Sequence, residues 1–479
     1  MRCLFAIVFL SIIPSIAFSA ETNKPPNRPS PPSGPVSAQI YDTVTFTTTA
    51  TDPDGDSVSI RFDWGDGNIS SWSPYVASGQ TVSMSHVYTS AGTYFVKVQA
   101  KDKRPKPYWS AWSEPHKIEI EFFKDKWSYL YGGKGAVAHS VEQTEDGGYI
   151  VAGYIYNDAT KTDVYLIKVA PNGDIEWTKT YGGEYYDKAF SLELTNDGGY
   201  IIVGYTESFG AGNNDVCLIK VASDGDIEWI KTYGGKYDDE GYSVKQTEDG
   251  GYIIVGQTRS FGAGKLGGYL ITTDVYLIKT DANGNIEWTK TYGGSKSDMG
   301  FSVEQTADGG YIIAGRTESF GVVGGAAYLI KTDANGNLIW DKVYTDFVKA
   351  YSVKQTKDEG YIITGLRWGG NIYLLKTDPY GNAEWTKTYG TGCGKSLELA
   401  KDGGYIIAGF TESLGVSRIY LLKTDADGNV KWEKTYDRGI GHSVKQTKDG
   451  GYIIAGESYS SDRGKQVILI KTDANGNYK

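Results

Sequence analysis

From residue 140 to residue 473 the chain repeats one pattern of apolar and polar positions. In one unit, Ser243-Val-Lys-Gln-Thr247 alternates between faces and ends at the tight turn Glu248-Asp249-Gly250-Gly251. Two apolar runs follow, Tyr252–Gly256 and Asp274–Thr280, then the turn Ala282-Asn283-Gly284, then an alternating stretch Ile286–Tyr292 that contains Trp288. Period-two alternation predicts strands with one open face, and short unbroken apolar runs predict strands buried on both faces. Asn-Gly between such runs is a hairpin signal. Each unit should therefore be four antiparallel strands.

Seven tryptophans mark the period: Trp127, Trp177, Trp229, Trp288, Trp340, Trp385 and Trp432, at intervals of 50, 52, 59, 52, 45 and 47 residues. Seven serines open the first strands: Ser140, Ser191, Ser243, Ser302, Ser352, Ser396 and Ser443. Four-stranded units at such a period predict a seven-bladed β-propeller over residues 122–479. The last unit stops at Lys479 before its tryptophan strand, whereas a tryptophan strand at 122–133 precedes the first full set. Joining the two would remove a free sheet edge, so 122–133 is expected to complete the final blade. The first-to-second and third-to-fourth turns are short and constant. The other connections vary, most of all Ser260–Thr273 in the third unit, and they reach the opposite face. Binding chemistry is expected on that variable face.

The N-terminus adds a basic start at Arg2, an apolar run Leu4–Ile13 and small residues up to Ala20. That is the pattern of a secretory signal peptide over residues 1–20, and the run is too short to span a membrane. Export then leaves Cys217 and Cys393, too few for a disulfide framework. Cys217 occupies a position held by tyrosine in five other units (Tyr165, Tyr276, Tyr328, Tyr373, Tyr420), so it reads as a small packed hydrophobe. A net charge of −10 disfavours nucleic acid or an anionic membrane as partner. It leaves divalent cations, glycans and proteins.

Residues 21–35 are a proline-rich lead-in. Residues 36–121 alternate apolar and polar positions between turn clusters, with strands expected at Thr43–Thr49, Ser57–Trp64, Thr81–Tyr88, Thr93–Ala100 and Lys117–Phe122. The segments Thr51-Asp-Pro-Asp-Gly-Asp56, Phe62-Asp-Trp-Gly-Asp-Gly-Asn68 and His86-Val-Tyr88 through Gly92-Thr-Tyr94 resemble the polycystic-kidney-disease (PKD) domain. That resemblance implies an immunoglobulin-like sandwich used as a spacer in secreted and surface proteins. Trp109-Ser-Ala-Trp112-Ser is similar to the W-S-x-W-S element of fibronectin-like sandwiches, with Arg61, Lys97 and Lys103 as cations for the rings. With the propeller behind it, the chain resembles prokaryotic secreted or surface proteins built from W-x-K-T-Y-G-G and D-G-G-Y-I-I-x-G repeats.

Two sets of candidate residues emerge. Tyr185, Tyr186, Tyr237, Arg259, Arg316, Arg367 and Trp368 break the repeat on the variable connections, and aromatic and arginine side chains there suit sugar stacking or protein anchoring. Asp187, Asp239 and Asp298, each six residues after the tyrosine of a tryptophan strand, could together hold a cation, as could Asp52, Asp54 and Asp56 in the front module. Both acidic sets have a competing reading as turn formers. Calcium is the one cofactor this leaves open.

Catalytic signatures are sparse: four scattered histidines and no G-x-S-x-G. The T-x-D-G-G-Y hairpin resembles the aspartate boxes of sialidases, but neither their arginine triad nor their tyrosine can be located. The expected function is a monomeric, non-catalytic secreted or surface protein that binds a glycan or protein. The alternative is an extracellular glycan hydrolase or lyase with acids in the propeller funnel.

Overall fold

The computed structural model describes residues 23–39, 42–121, 126–158, 161–262, 265–266, 269–270, 272–320, 323–413, 415–460 and 464–478; the expected signal peptide lies outside them. The described structure is all-β. It divides into two units, Met1–Phe122 and Phe123–Lys479.

The first unit is a sandwich of two sheets. Thr43–Thr49 pairs with Thr81–Val87 in one. In the other, Val58–Asp63, Gly92–Asp102 and His116–Glu121 run antiparallel in that order, and Ser37–Gln39 adds a parallel edge beside His116–Glu121. Phe46, Ile60, Phe62, Val98 and Ile118 fill the core between them. The motif residues meet there. Trp64 stacks on His86 at 4.8 Å, His86 reaches Asp66 at 2.7 Å, and the Tyr88 hydroxyl donates to the Trp64 carbonyl at 2.9 Å. The proline-rich lead-in lies along the first sheet, where Asn27, Ser30 and Ser33 donate backbone hydrogen bonds to Thr51, Thr49 and Thr47. Arg61 stands over Trp72, Trp109 and Trp112 at 4.8–5.3 Å, and Lys97 over Trp112. Lys103 turns to Tyr75 instead.

The second unit is a seven-bladed propeller, each blade four antiparallel strands from inner to outer. Blade 2 is typical: Asp187–Leu194, Tyr200–Thr206, Asp215–Val221 and Ile227–Tyr233. In blades 5 to 7 the outer strand of one blade continues into the inner strand of the next, through Ala383–Leu399 and Val430–Gln446. The inner strands begin earlier than the sequence pattern suggests. The one around Ser243 starts at Asp239, with a register shift between Gly241 and Ser243, because a bulge lets the serine keep facing the channel. Trp127–Tyr131 pairs antiparallel with Gly464–Thr472, from Lys471 opposite Trp127 to Val467 opposite Tyr131, and closes the ring as the terminal motifs require.

The repeat motifs turn out to join blades. Every tryptophan-strand tyrosine donates its hydroxyl to the turn glycine of the next blade, from Tyr131 on Gly173 to Tyr436 on Gly476, at 2.6–2.8 Å. The tryptophan packs over the same glycine, which has positive φ. Around the channel, six serines accept the backbone N–H that follows the next blade's serine, including Ser443 from Val141 across the closure. The aspartate of the short first turn of each blade captures the buried lysine of its third strand: Asp197 holds Lys220 at 3.0 Å, Asp249 holds Lys279 at 2.8 Å, and in blade 5, where the turn reads Asp358-Glu359-Gly360, Asp358 holds Lys376 at 2.8 Å.

Candidate functional site

The variable face is assembled from the connections that precede each inner strand and the loops between second and third strands. These lie against each other: Glu207 N–H donates to Tyr186 O at 2.9 Å, and Tyr185 N–H donates to Ser208 Oγ at 3.1 Å. Over blade 2 they enclose an open groove of about 470 Å³ lined by Tyr185, Glu207, Gly212, Asn213, Asn214 and Asp238. Tyr185 and Tyr186 are exposed and flank Lys161, whose ammonium lies 5.0 and 4.8 Å from the two rings. The groove thus offers an aromatic edge, a cation beside it, two carboxylates and two side-chain amides.

The other loop-face candidates divide by what they touch. Arg259 is paired with Asp238 at 2.8 Å at the edge of that groove, and Tyr237 is half-buried with its N–H donated to Ser260 Oγ. Arg316 is the penultimate residue of the second strand of blade 4, pairs with Glu318 at 2.7 Å and donates to Gly324 O, so it braces its own loop. Arg367 donates to Thr388 Oγ1 at 2.9 Å. Trp368 is half-exposed and lies over Gly324, where a Cβ would stand 2.6 Å from its ring. Tyr185, Tyr186 and Trp368 therefore present free aromatic surface, while Arg259 and Arg316 are held by neighbouring acids.

The central channel is lined by the inner strands of all seven blades. At one level His139, Phe190, Tyr242, Phe301, Tyr351 and His442 form a collar, with neighbouring rings 4.6–5.7 Å apart and the Lys395 ammonium over Tyr351. Burial pushes both His139 and His442 well down, the latter to about 3, so the two imidazoles are neutral at neutral pH. Beyond the serines lies a charged ring of Glu142, Glu193, Lys245, Glu304, Lys354, Glu398 and Lys445. Lys245 bridges Glu193 and Glu304 at 3.4 and 3.9 Å, and Lys445 bridges Glu142 and Glu398 at 2.7 and 3.6 Å. Burial raises Glu193 against the pull of Lys245, with the Glu142 charge adding to the rise. These glutamates are committed to ion pairs inside the ring.

Asp187, Asp239 and Asp298 sit elsewhere. Each is the first residue of an inner strand, at most 2% exposed, and each lies beside an aspartate of the preceding blade: Asp163, Asp215 and Asp274. Those partners do not figure among the candidates, although a shared Asp-Val at the start of three third strands marks them.

In the front module, Asp52, Asp56 and Asp102 each bring a carboxylate oxygen within 4.8 Å of the others. Asp52 Oδ1 accepts the Asp54 and Asp56 N–H groups, while its buried Oδ2 has no partner. Asp54 itself accepts the Lys24 N–H and stays outside the cluster. Asp102, too far along the chain to be recognised from spacing, takes its place and accepts from Asn23 Nδ2 at 2.6 Å. Cys217 and Cys393 are buried free thiols, and burial raises Cys217 to about 12.

No curated protein matches this chain. Among solved structures, the PKD domain of an M14-like peptidase from a Thermoplasmatales archaeon is 36% identical over 21% of this chain and 98% of its own, with a TM-score of 0.19. A protein of unknown function from Bacteroides caccae is 13% identical over 57% of this chain and 90% of its own, with a TM-score of 0.38. The Neurospora crassa Pan2 WD40 domain is 10% identical over 60% of this chain and 93% of its own, with a TM-score of 0.35. No helix among the described residues is long and apolar enough to cross a membrane. Residues 31–106 match the family model of the PKD domain, a module typical of extracellular proteins, and the front sandwich is assigned to that family.

Proposed function

We propose that this is a secreted or cell-surface binding protein whose propeller loop face recognises an extracellular glycan, with the PKD module as spacer. The observation that carries this reading is the groove over blade 2, which combines Tyr185 with Glu207, Asn213, Asn214 and Asp238. An aromatic edge suits the apolar face of a sugar ring, and carboxylates and amides suit its hydroxyls. The channel supports the same reading, because its acids are paired with lysines rather than open to a substrate. The molecule acts as a monomer. A surface protein that presents hydroxyl-rich or amide groups is the other ligand class.

The test is a glycan array probed with the purified full chain, repeated with Tyr185→Ala/Asn213→Ala. Loss of an aromatic anchor typically costs about 2 kcal/mol, roughly 30-fold in affinity. Unchanged array binding in the double variant at an unchanged melt would overturn the proposal. Glu207, with the Arg259-paired Asp238 in the same groove, supports a second reading, a glycan hydrolase or lyase. New reducing ends from an array ligand, lost in Glu207→Gln, would put that reading first.

We extend the proposal to calcium at Asp52, Asp56 and Asp102, on the strength of the buried unpartnered Asp52 Oδ2. Asp52→Asn should abolish one calcium-binding event by calorimetry.

A further inference from the structure

Three of the seven blade junctions carry a pair of buried aspartates, one from each blade. At the junction of blades 2 and 3, Asp215 and Asp239 converge on Gly234, where a Cβ would lie 2.0 Å from Asp215 Oδ1 and 2.8 Å from Asp239 Oδ2. Asp163 and Asp187 converge in the same way on Gly182, at 2.5 and 2.7 Å, and Asp274 and Asp298 on Gly293, at 2.6 and 2.4 Å. The facing oxygens of each pair are thus within about 5 Å, the span a cation needs to bridge two carboxylates at about 2.4 Å each. A side chain on any of these glycines would fill the space.

The pair at Gly234 shows the arrangement most directly. Asp215 is 1% exposed and Asp239 is fully buried. One oxygen of Asp215 accepts the Ala211 and Gly212 N–H groups, at 2.7 and 3.1 Å. The other, Oδ1, faces Asp239 across the glycine and has no hydrogen-bond partner. At the other two junctions the oxygens that face Asp163 and Asp274 across the glycines are Asp187 Oδ2 and Asp298 Oδ2, held in place by the Gly183 and Gly294 N–H groups and by the Ser208 and Ser319 hydroxyls. The second oxygen of each, Oδ1, is buried without a hydrogen-bond partner. Two like charges buried this close repel strongly unless something neutralises them.

The repeats supply independent support, because each junction has both acids or neither. The corresponding residues are Ala326 and Phe347 between blades 4 and 5, Asn371 and Gly392 between 5 and 6, Arg418 and Gly439 between 6 and 7, and Gln466 and Ala136 at the closure. A carboxylate serving only as a turn former would have no reason to come and go with a partner on another blade.

We infer that each of these three junctions binds a hard divalent cation of the calcium class, which ties successive blades together beneath the variable loops. All-oxygen donors favour calcium over softer metals. The test uses the chelator-stripped full chain carrying Asp52→Asn, so that the front-module cluster does not contribute. Calcium titration by calorimetry should give three sites, native mass spectrometry should count three ions, and calcium should raise the melting temperature by several degrees. Asp215→Asn and Asp239→Asn should each remove one site, and the double variant should still remove only one, because both acids serve the same ion. Asp187→Asn tests an independent junction should the Gly234 variants fold poorly. The inference fails if the stripped protein binds neither calcium nor magnesium, or if the double variant loses two sites. It also fails if the stripped protein melts higher at pH 5 than at pH 7 with no response to calcium, which would mean a shared proton neutralises each pair.

Discussion

At the scale of single residues, the tyrosine that ends each tryptophan strand explains why the motif is so regular. Its hydroxyl and the neighbouring indole both close on one glycine of the next blade, as Tyr233 and Trp229 do on Gly284. The glycine is required twice over: its φ is +73°, and a Cβ would stand 2.8 Å from the Trp229 ring. Tyr233→Phe should therefore lower stability by about 1 kcal/mol, the net worth of one such hydrogen bond. Gly284→Ala should cost more, about 2 kcal/mol, from left-handed strain and the clash. Urea unfolding of the two variants checks both the values and their order. The tyrosine and the glycine were visible as repeated letters. Their contact was not, because the partners stand 51 residues apart on different sheets.

At the scale of the blade, the D-G-G turn is an electrostatic lock on the third strand. Lys220 is 2% exposed and Lys279 3% exposed, so each needs a counter-charge, which Asp197 and Asp249 provide. Burial works to raise these carboxyls, but hydrogen bonds from Thr195 and Lys220, and from Lys279 and Thr247, outweigh it and hold both at about 2. An unfolded aspartate titrates at about 3.9. The folded value is the lower one, so this stability is present in full above about pH 4 and drains away as pH falls through about 2. Melting temperature should drop steeply between those values, and Asp249→Asn should flatten part of that drop while lowering the plateau at neutral pH. An acid melt as steep in the variant as in the parent would remove this lock from the account. The unbroken apolar run revealed the third strand, but nothing in the run itself pairs its lysine with the turn of the same blade.

At the scale of the whole propeller, closure depends on a strand that precedes the first blade in sequence and completes the last in space. Five residue pairs from Val467–Tyr131 to Lys471–Trp127 join it, and Trp127 and Tyr131 also clamp blade 1 at Gly173. Deleting Lys126–Gly133 removes both the edge strand and one of seven clamps. The propeller should then unfold at lower temperature and less cooperatively, as read by calorimetry. An identical melt would mean that the ring closes without it.

The sequence by itself determined the number of blades, their strand order, the closure and the PKD sandwich. Each of these rests on local periodicity and turn chemistry repeated often enough to be unambiguous. It also pointed to the connections that bear the groove, because there the repeats differ. It could not decide which residues meet across a junction. Asp187, Asp239 and Asp298 looked like one set because they share a position in the repeat, yet the ring puts each on a different junction beside an acid of the previous blade. Asp54 looked like a member of the front-module cluster and is replaced by Asp102, which the sandwich brings back from 50 residues away. Arg259 and Arg316 looked free and are paired with Asp238 and Glu318. In every case the deciding contact joins residues from different strands or loops, and the distance between those is set by how sheets twist and pack rather than by spacing along the chain.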